Sequence, residues 1–147
     1  MNGVNSQTSR KRVFVVEDDL PILEVIQQIL EGEDYSVTSA RNGKEALEVL
    51  AASSELPQLI LLDLMMPIMD GTEFLARMRE NPKWSALPVI LMSADMKLVN
   101  RQLGAYTCLK KPVDLENFLN TLRGFFEGRP ARAPAPFHSI SSINVAD

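Results

Sequence analysis

Three runs of four apolar residues each stop at a polar side chain: Val13-Phe14-Val15-Val16 before Glu17, Leu59-Ile60-Leu61-Leu62 before Asp63, and Val89-Ile90-Leu91-Met92 before Ser93. A strand with one face in water alternates apolar and polar residues. An unbroken apolar run of this length suits a strand covered on both faces, as in a parallel sheet between layers of helix.

The segments between these runs change to a helical period. Behind Pro21, which suits a first helical turn, Ile22, Val25, Ile26, Ile29 and Leu30 are predicted to line one helix face. Asn42 with Glu45 three residues on opens a second helix, with Ala46, Leu47, Leu50 and Ala51 inward. Asp70 with Glu73 opens a third, carrying Phe74, Leu75 and Met78 on one side. Tyr35 to Ala40 is β-branched enough for a short strand, and Ala105 to Leu109 reads as a weak last strand. A short helix is predicted from Asp95 to Leu103, stopped by Gly104. Leu115, Phe118, Leu119, Leu122, Phe125 and Phe126 make a strongly amphipathic closing helix.

Strands alternating with helices in this way give an α/β fold: (βα)5, a doubly wound parallel five-stranded sheet. Strand order is not legible in any single segment. The flavodoxin-like order 2-1-3-4-5 is the usual solution for five such units. The folded body is expected over residues 12–128, a size that suits one domain. Residues 1–11 are polar and read as a disordered leader. Residues 129–147, rich in Pro and Ala and then in Ser, read as a stiff, disordered tail.

Several function classes drop out. The apolar runs are far too short to span a bilayer, and the polar start lacks the apolar core of a secretory signal, so a cytoplasmic location is the expectation. Cys108 and His138 are the only residues of their kinds, so there is no disulfide, zinc site or thiol dyad to consider. The net charge of −4 conceals a more acidic body once the basic Arg10-Lys11-Arg12 cluster is set aside, which argues against a nucleic-acid-binding face.

In an open α/β sheet, ligands bind just past the carboxyl ends of the strands. Glu17, Asp18 and Asp19 follow the first strand, Asp63 ends the third, Ser93 ends the fourth and Lys111 follows the fifth. With the 2-1-3-4-5 order these ends are expected to converge. Clustered carboxylates require a cation, and an all-oxygen site with few ligands suits Mg2+. A carboxylate can also attack phosphorus and form an aspartyl-phosphate, whose oxygens need neutralising by metal, ammonium and hydroxyl groups. Taken singly, each residue also has a plain structural reading: the Glu17-Asp18-Asp19 acids as a helix start, Asp63 and Ser93 as turn residues, Lys111 as a solvated charge. Four strand ends carrying such groups at once are harder to explain that way.

Five segments resemble the receiver domains of two-component response regulators. They are Val15-Val16-Glu17-Asp18-Asp19, Leu61 to Gly71 (LLDLMMPIMDG), Met92-Ser93-Ala94, Gly104-Ala105 and Lys111-Pro112. The resemblance covers roughly residues 11–127, and the Asp63-to-Gly71 segment is its most specific part. It implies that Asp63 is the phosphoacceptor. Asp18 would ligate Mg2+ directly and Glu17 through water, with the Met65 carbonyl as a further ligand. Ser93 and Lys111 would hold phosphoryl oxygens, and the Lys111–Pro112 bond would be cis. The donor would be a sensor histidine kinase or histidine phosphotransfer protein, and the product a switch in binding to a downstream protein. The domain would be no enzyme beyond its own phosphotransfer and dephosphorylation, and would be a monomer or a weak, phosphorylation-linked dimer.

Two departures from the family pattern stand out. Cys108 occupies the place, three residues before the lysine, where an aromatic residue is usual, with Tyr106 a candidate substitute on the same strand. The Ser93-to-Lys111 span is about one helical turn shorter than in common receivers. These departures keep a second function in view, a receiver-fold adaptor that works without phosphorylation. A phosphohydrolase on a similar sheet would need an aspartate two residues after the nucleophile, where this chain has Met65. The short stretch after Glu127 has no room for an output domain, so a stand-alone receiver is expected.

Overall fold

The computed structural model describes residues 10–98 and 104–130. Most of the leader, most of the tail and most of the helix expected between Asp95 and Leu103 lie outside the described residues. Five parallel strands form one sheet in the order β2-β1-β3-β4-β5, the order expected of a flavodoxin-like α/β fold. The chain divides into two compact units between Pro88 and Val89.

In the first unit, β1 (Arg12–Val16) pairs with β2 (Ser36–Ala40) on one side and β3 (Leu59–Asp63) on the other. All five residues of β3 and four of β1 are buried, which is why these strands carry no polar alternation. The edge strand β2 alternates exposed and covered residues instead.

Helix α1 (Leu20–Gly32) starts at Asp19, whose carboxylate accepts the Ile22 N–H, and carries Pro21 in its first turn. It ends where Asp34 takes a left-handed conformation (φ 71°) and the Tyr35 N–H returns to the Leu30 carbonyl. Its buried residues are Leu23, Ile26 and Leu30. This corrects the predicted face: Ile22 and Val25 are exposed together with Leu20. The apolar set on α1 is wider than the stripe the sheet covers, and the spacing of three and four from Leu23 selects the covered edge.

Helix α2 (Gly43–Ala52) is capped by Asn42, which accepts the Glu45 N–H at 2.9 Å. Glu45 reaches back one residue further than a capping box requires, to the Arg41 N–H. Gly43, Ala46 and Leu50 are buried, whereas Ala51, read as inward, is exposed. Helix α3 (Gly71–Glu80) is capped by Asp70 and buries Phe74, Leu75 and Met78 as predicted. Its Glu73 pairs forward with Arg77 at 3.1 Å, so only half of the capping box forms.

In the second unit, β4 (Val89–Ser93), buried throughout, pairs with β5 (Thr107–Lys110). A 3-10 turn, Met96–Leu98, follows β4, and Gly104 at φ 67° precedes β5. Helix α4 (Leu115–Phe126) is capped by Asp114 and buries Phe118, Leu122 and Gly124. Leu115, an apolar residue of the predicted amphipathic face, is half exposed at 51%. Among the described residues, no helix is long and apolar enough to cross a membrane.

Candidate functional site

Strand register brings the first acids together. Val16 lies opposite Leu62 in the β1–β3 pair, so Glu17 and Asp63, each the next residue, leave their strands side by side. Glu17, Asp18 and Asp63 each contribute a carboxylate oxygen to a group lying within 4.8 Å. Glu17 and Asp63 are buried, and Asp18 is partly exposed. At such a separation each pair of negative charges repels by roughly 1–3.5 kcal/mol for effective dielectrics between water and a protein surface. The group therefore calls for positive charge. Its donors are all hard carboxylate oxygens, and the partial exposure of Asp18 leaves a way in for a small hydrated cation. That set fits Mg2+, which prefers oxygen ligands and keeps several waters.

The surrounding main chain holds these acids in place. The Glu17 N–H donates to Ala40 O at 3.0 Å, and Glu17 Oε2 accepts the Asp19 N–H at 3.2 Å. Arg41 donates from Nε and Nη2 to the Asp18 carbonyl, at 3.2 and 3.1 Å. Asp63 Oδ1 accepts the Met65 N–H at 3.2 Å, turning the chain sharply away from β3. The Met65 side chain is exposed. Gly71 closes the loop: its N–H donates to Leu64 O, and a Cβ there would collide with the Asp63 carbonyl oxygen. Ile68, in the same loop, is held at φ 70°, a left-handed conformation that costs a β-branched residue energy.

In the second unit, Ser93 ends β4 fully buried. Its Oγ donates to Asp95 O at 2.9 Å and accepts the Asp95 N–H at 3.1 Å. Ser93 is in register with Lys110, and the Lys111 N–H donates to Ser93 O at 2.9 Å just beyond the strand. Lys111 is half-buried, and its bond to Pro112 is cis. Cys108 is half-buried on β5, with Sγ 3.9 Å from Met96 Sδ, and burial pushes its thiol up to about 11. Tyr106 lies before β5 rather than on it. Its hydroxyl donates to Arg129 O at 2.8 Å and its ring meets Phe125 edge-on at 5.1 Å. The tyrosine is thus committed to the end of α4, which corrects its reading as a residue of the last strand.

No sequence signal singles out Arg41. It is one exposed cation among many, and its contact is to main chain. Gly71 belongs to the quoted motif, but its close approach to the Asp63 backbone becomes visible only in three dimensions.

Sheet order and side chains together define a flavodoxin-like α/β domain with a carboxylate cluster at the carboxyl ends of its first and third strands. The family model for the response regulator receiver domain matches residues 13–123. The chain belongs to the response regulator receiver family. It is 32% identical over 122 residues to sporulation initiation phosphotransferase F of Bacillus subtilis, covering 78% of this chain and 93% of that protein. It is 32% identical to the transcriptional regulatory protein CpxR homolog of Haemophilus influenzae and 30% identical to histidine kinase P4 of Formosa agariphila. Those matches cover 91% and 97% of this chain but only 56% and 10% of those longer proteins. The fold is similar to that of the chemotaxis response regulator CheY4 of Vibrio cholerae, with a TM-score of 0.69 at 28% identity over 78% of this chain and 98% of that one.

Proposed function

We propose that Asp63 accepts a phosphoryl group from a phosphohistidine on a sensor histidine kinase or a phosphotransfer protein, and that the phosphorylated form binds a downstream protein differently. The observation that carries this reading is the Glu17–Asp18–Asp63 carboxylate group at adjacent strand ends. The names of the similar proteins, a histidine kinase and a phosphotransferase among them, point the same way.

Glu17, Asp18 and Asp63, with the Met65 carbonyl, would hold Mg2+. When bound, the ion supplies positive charge to the phosphoryl oxygens during transfer. Asp63 is the nucleophile: one carboxylate oxygen forms the new bond to phosphorus while the bond from phosphorus to the donor nitrogen breaks. Its Oδ1 contact with the Met65 N–H fixes the carboxylate's orientation. By the family resemblance, the Ser93 hydroxyl and the Lys111 ammonium would take the remaining phosphoryl oxygens. For Ser93 this means exchanging its hydrogen bond to Asp95 for one to the phosphoryl group. The domain is consumed by the transfer and reset by hydrolysis of its own acyl phosphate, so it acts as a switch rather than as an enzyme with turnover. Its place is the cytoplasm, where such kinases present their phosphohistidine.

Acetyl phosphate and Mg2+ should add one base-labile phosphoryl group to the full chain, and Asp63→Asn should abolish the labelling, since an amide is no nucleophile. Undiminished labelling of Asp63→Asn overturns the proposal.

A further inference from the structure

Asp18 belongs to neither β1 nor α1. Its carbonyl is held from outside its own loop, by Arg41. The guanidinium donates to it twice, from Nε at 3.2 Å and from Nη2 at 3.1 Å, which constrains both the plane of the guanidinium and the direction of the carbonyl. Arg41 is in turn anchored through its own N–H on the Glu45 carboxylate at the start of α2.

The neighbours of Arg41 make the same kind of link. Ala40 O accepts the Glu17 N–H at 3.0 Å, and the Gly43 N–H donates to Met69 O at 2.8 Å. A Cβ on Gly43 would lie 2.7 Å from Met69 Cγ, so the two loops are in close contact there. Residues 40–43 therefore touch both the loop after β1, which carries Glu17 and Asp18, and the loop that follows Asp63.

We propose that Arg41 is a positioning residue for the metal pocket, setting the Asp18 carboxylate through its grip on the Asp18 carbonyl. The inference rests on the reading of Glu17, Asp18 and Asp63 as the Mg2+ site. Charge and geometry make opposite forecasts for it. Arg41 is a cation beside an acidic cluster, so charge alone says that its removal tightens Mg2+ binding. Geometry says that removal frees the Asp18 loop and weakens binding. Orienting partners of metal ligands are commonly worth about 10–100-fold in affinity when mutated. An exposed grip acting through the backbone belongs at or below the lower end, about 3–10-fold.

The test uses the full chain and Mg2+ itself. Arg41→Met and Arg41→Gln have the same length and neither is charged, but Gln keeps an N–H donor where Nε stood and Met does not. Mg2+ titrations followed by amide chemical shifts should give a dissociation constant for Arg41→Met about 3–10-fold weaker than wild type, with Arg41→Gln recovering most of the loss. Metal-free melting temperatures should be the same for all three proteins, which separates positioning from general stability. An Arg41→Met affinity equal to or tighter than wild type overturns the proposal, as does an Arg41→Gln value matching a weakened Arg41→Met. A wild-type protein with no saturable Mg2+ response at Asp18 overturns the pocket reading itself, and this inference with it.

Discussion

Gly71→Ala is expected to damage both the stability and the phosphoryl chemistry of this domain, although glycine-to-alanine changes in helices ordinarily stabilise. Gly71 is the first residue of α3. A Cβ there would collide with the Asp63 carbonyl oxygen and stand 2.7 Å from Leu64 Cα. Both obstacles are main chain, so no rotamer change relieves them. Restoring an ordinary contact of 3.4–4 Å at Leu64 requires the backbones to part by roughly 0.7–1.3 Å. Overpacking of this kind costs about 1–3 kcal/mol, and the helix-propensity gain of at most about 1 kcal/mol recovers part of it. The net loss of up to about 2 kcal/mol should lower the melting temperature by up to roughly 10 °C. The displaced backbone carries Asp63, and a misplacement near 1 Å slows a positioned reaction by up to about 100-fold, so labelling by acetyl phosphate should slow by about 10–100-fold. Gly32→Ala is the control. Gly32 ends α1 with nothing within 4 Å of an added Cβ, and the change should stabilise by about 0.4–1 kcal/mol. Thermal melts and labelling rates of both variants decide the matter. A Gly71→Ala protein that melts and labels like wild type would refute the argument.

Other substitutions test separate parts of the account. Mg2+ should raise the melting temperature by binding only the folded form, and Asp18→Asn should remove most of that rise; an intact rise would put the site elsewhere. Burial pushes the Cys108 thiol from 9.0 up to about 11, so between those values the unfolded chain releases a proton that the folded chain keeps. Stability should therefore fall as pH climbs through that window, and subtracting the profile of Cys108→Ala should isolate the fall, a flat difference curve showing the thiol to be ordinary. Ile68→Gly should stabilise by about 0.5–1 kcal/mol in chemical denaturation, because φ 70° penalises a β-branched residue and suits glycine. A loss of stability there would mean that the exposed Ile68 side chain makes contacts worth more than the strain.

Strands β1, β3 and β4 were legible in the sequence because burial on both faces leaves a continuous apolar run, and the acids and hydroxyl that end those runs stood out for the same reason. That is why Glu17, Asp18, Asp63 and Ser93 could be named from their positions. Strand order is a property of pairings such as Val16 with Leu62, and no segment encodes it alone. The face of α1 is not legible in the sequence because Ile22 and Val25 share the helical period of the true stripe, and only packing distinguishes Leu23, Ile26 and Leu30. The caps at Asn42 and Asp70 form as the sequence predicts, but Glu45 and Glu73 take other partners, since long side chains have several donors within reach. Tyr106 looked like a strand residue by parity, and its hydroxyl instead found the Arg129 carbonyl, a contact formed across 23 residues of chain. Arg41 left no trace in the sequence because it acts on a carbonyl, a group every residue possesses.

The most direct measurement of the central claim is the location of the phosphoryl group on the chain. After incubation with acetyl phosphate and Mg2+, borohydride cleavage converts a phosphorylated aspartate to homoserine, and tandem mass spectrometry of the peptides reads its position. The account predicts homoserine at position 63 alone, within the segment that runs from β3 into α3. Homoserine at position 18, or an unmodified Asp63 in a protein that has taken up phosphate, would contradict it.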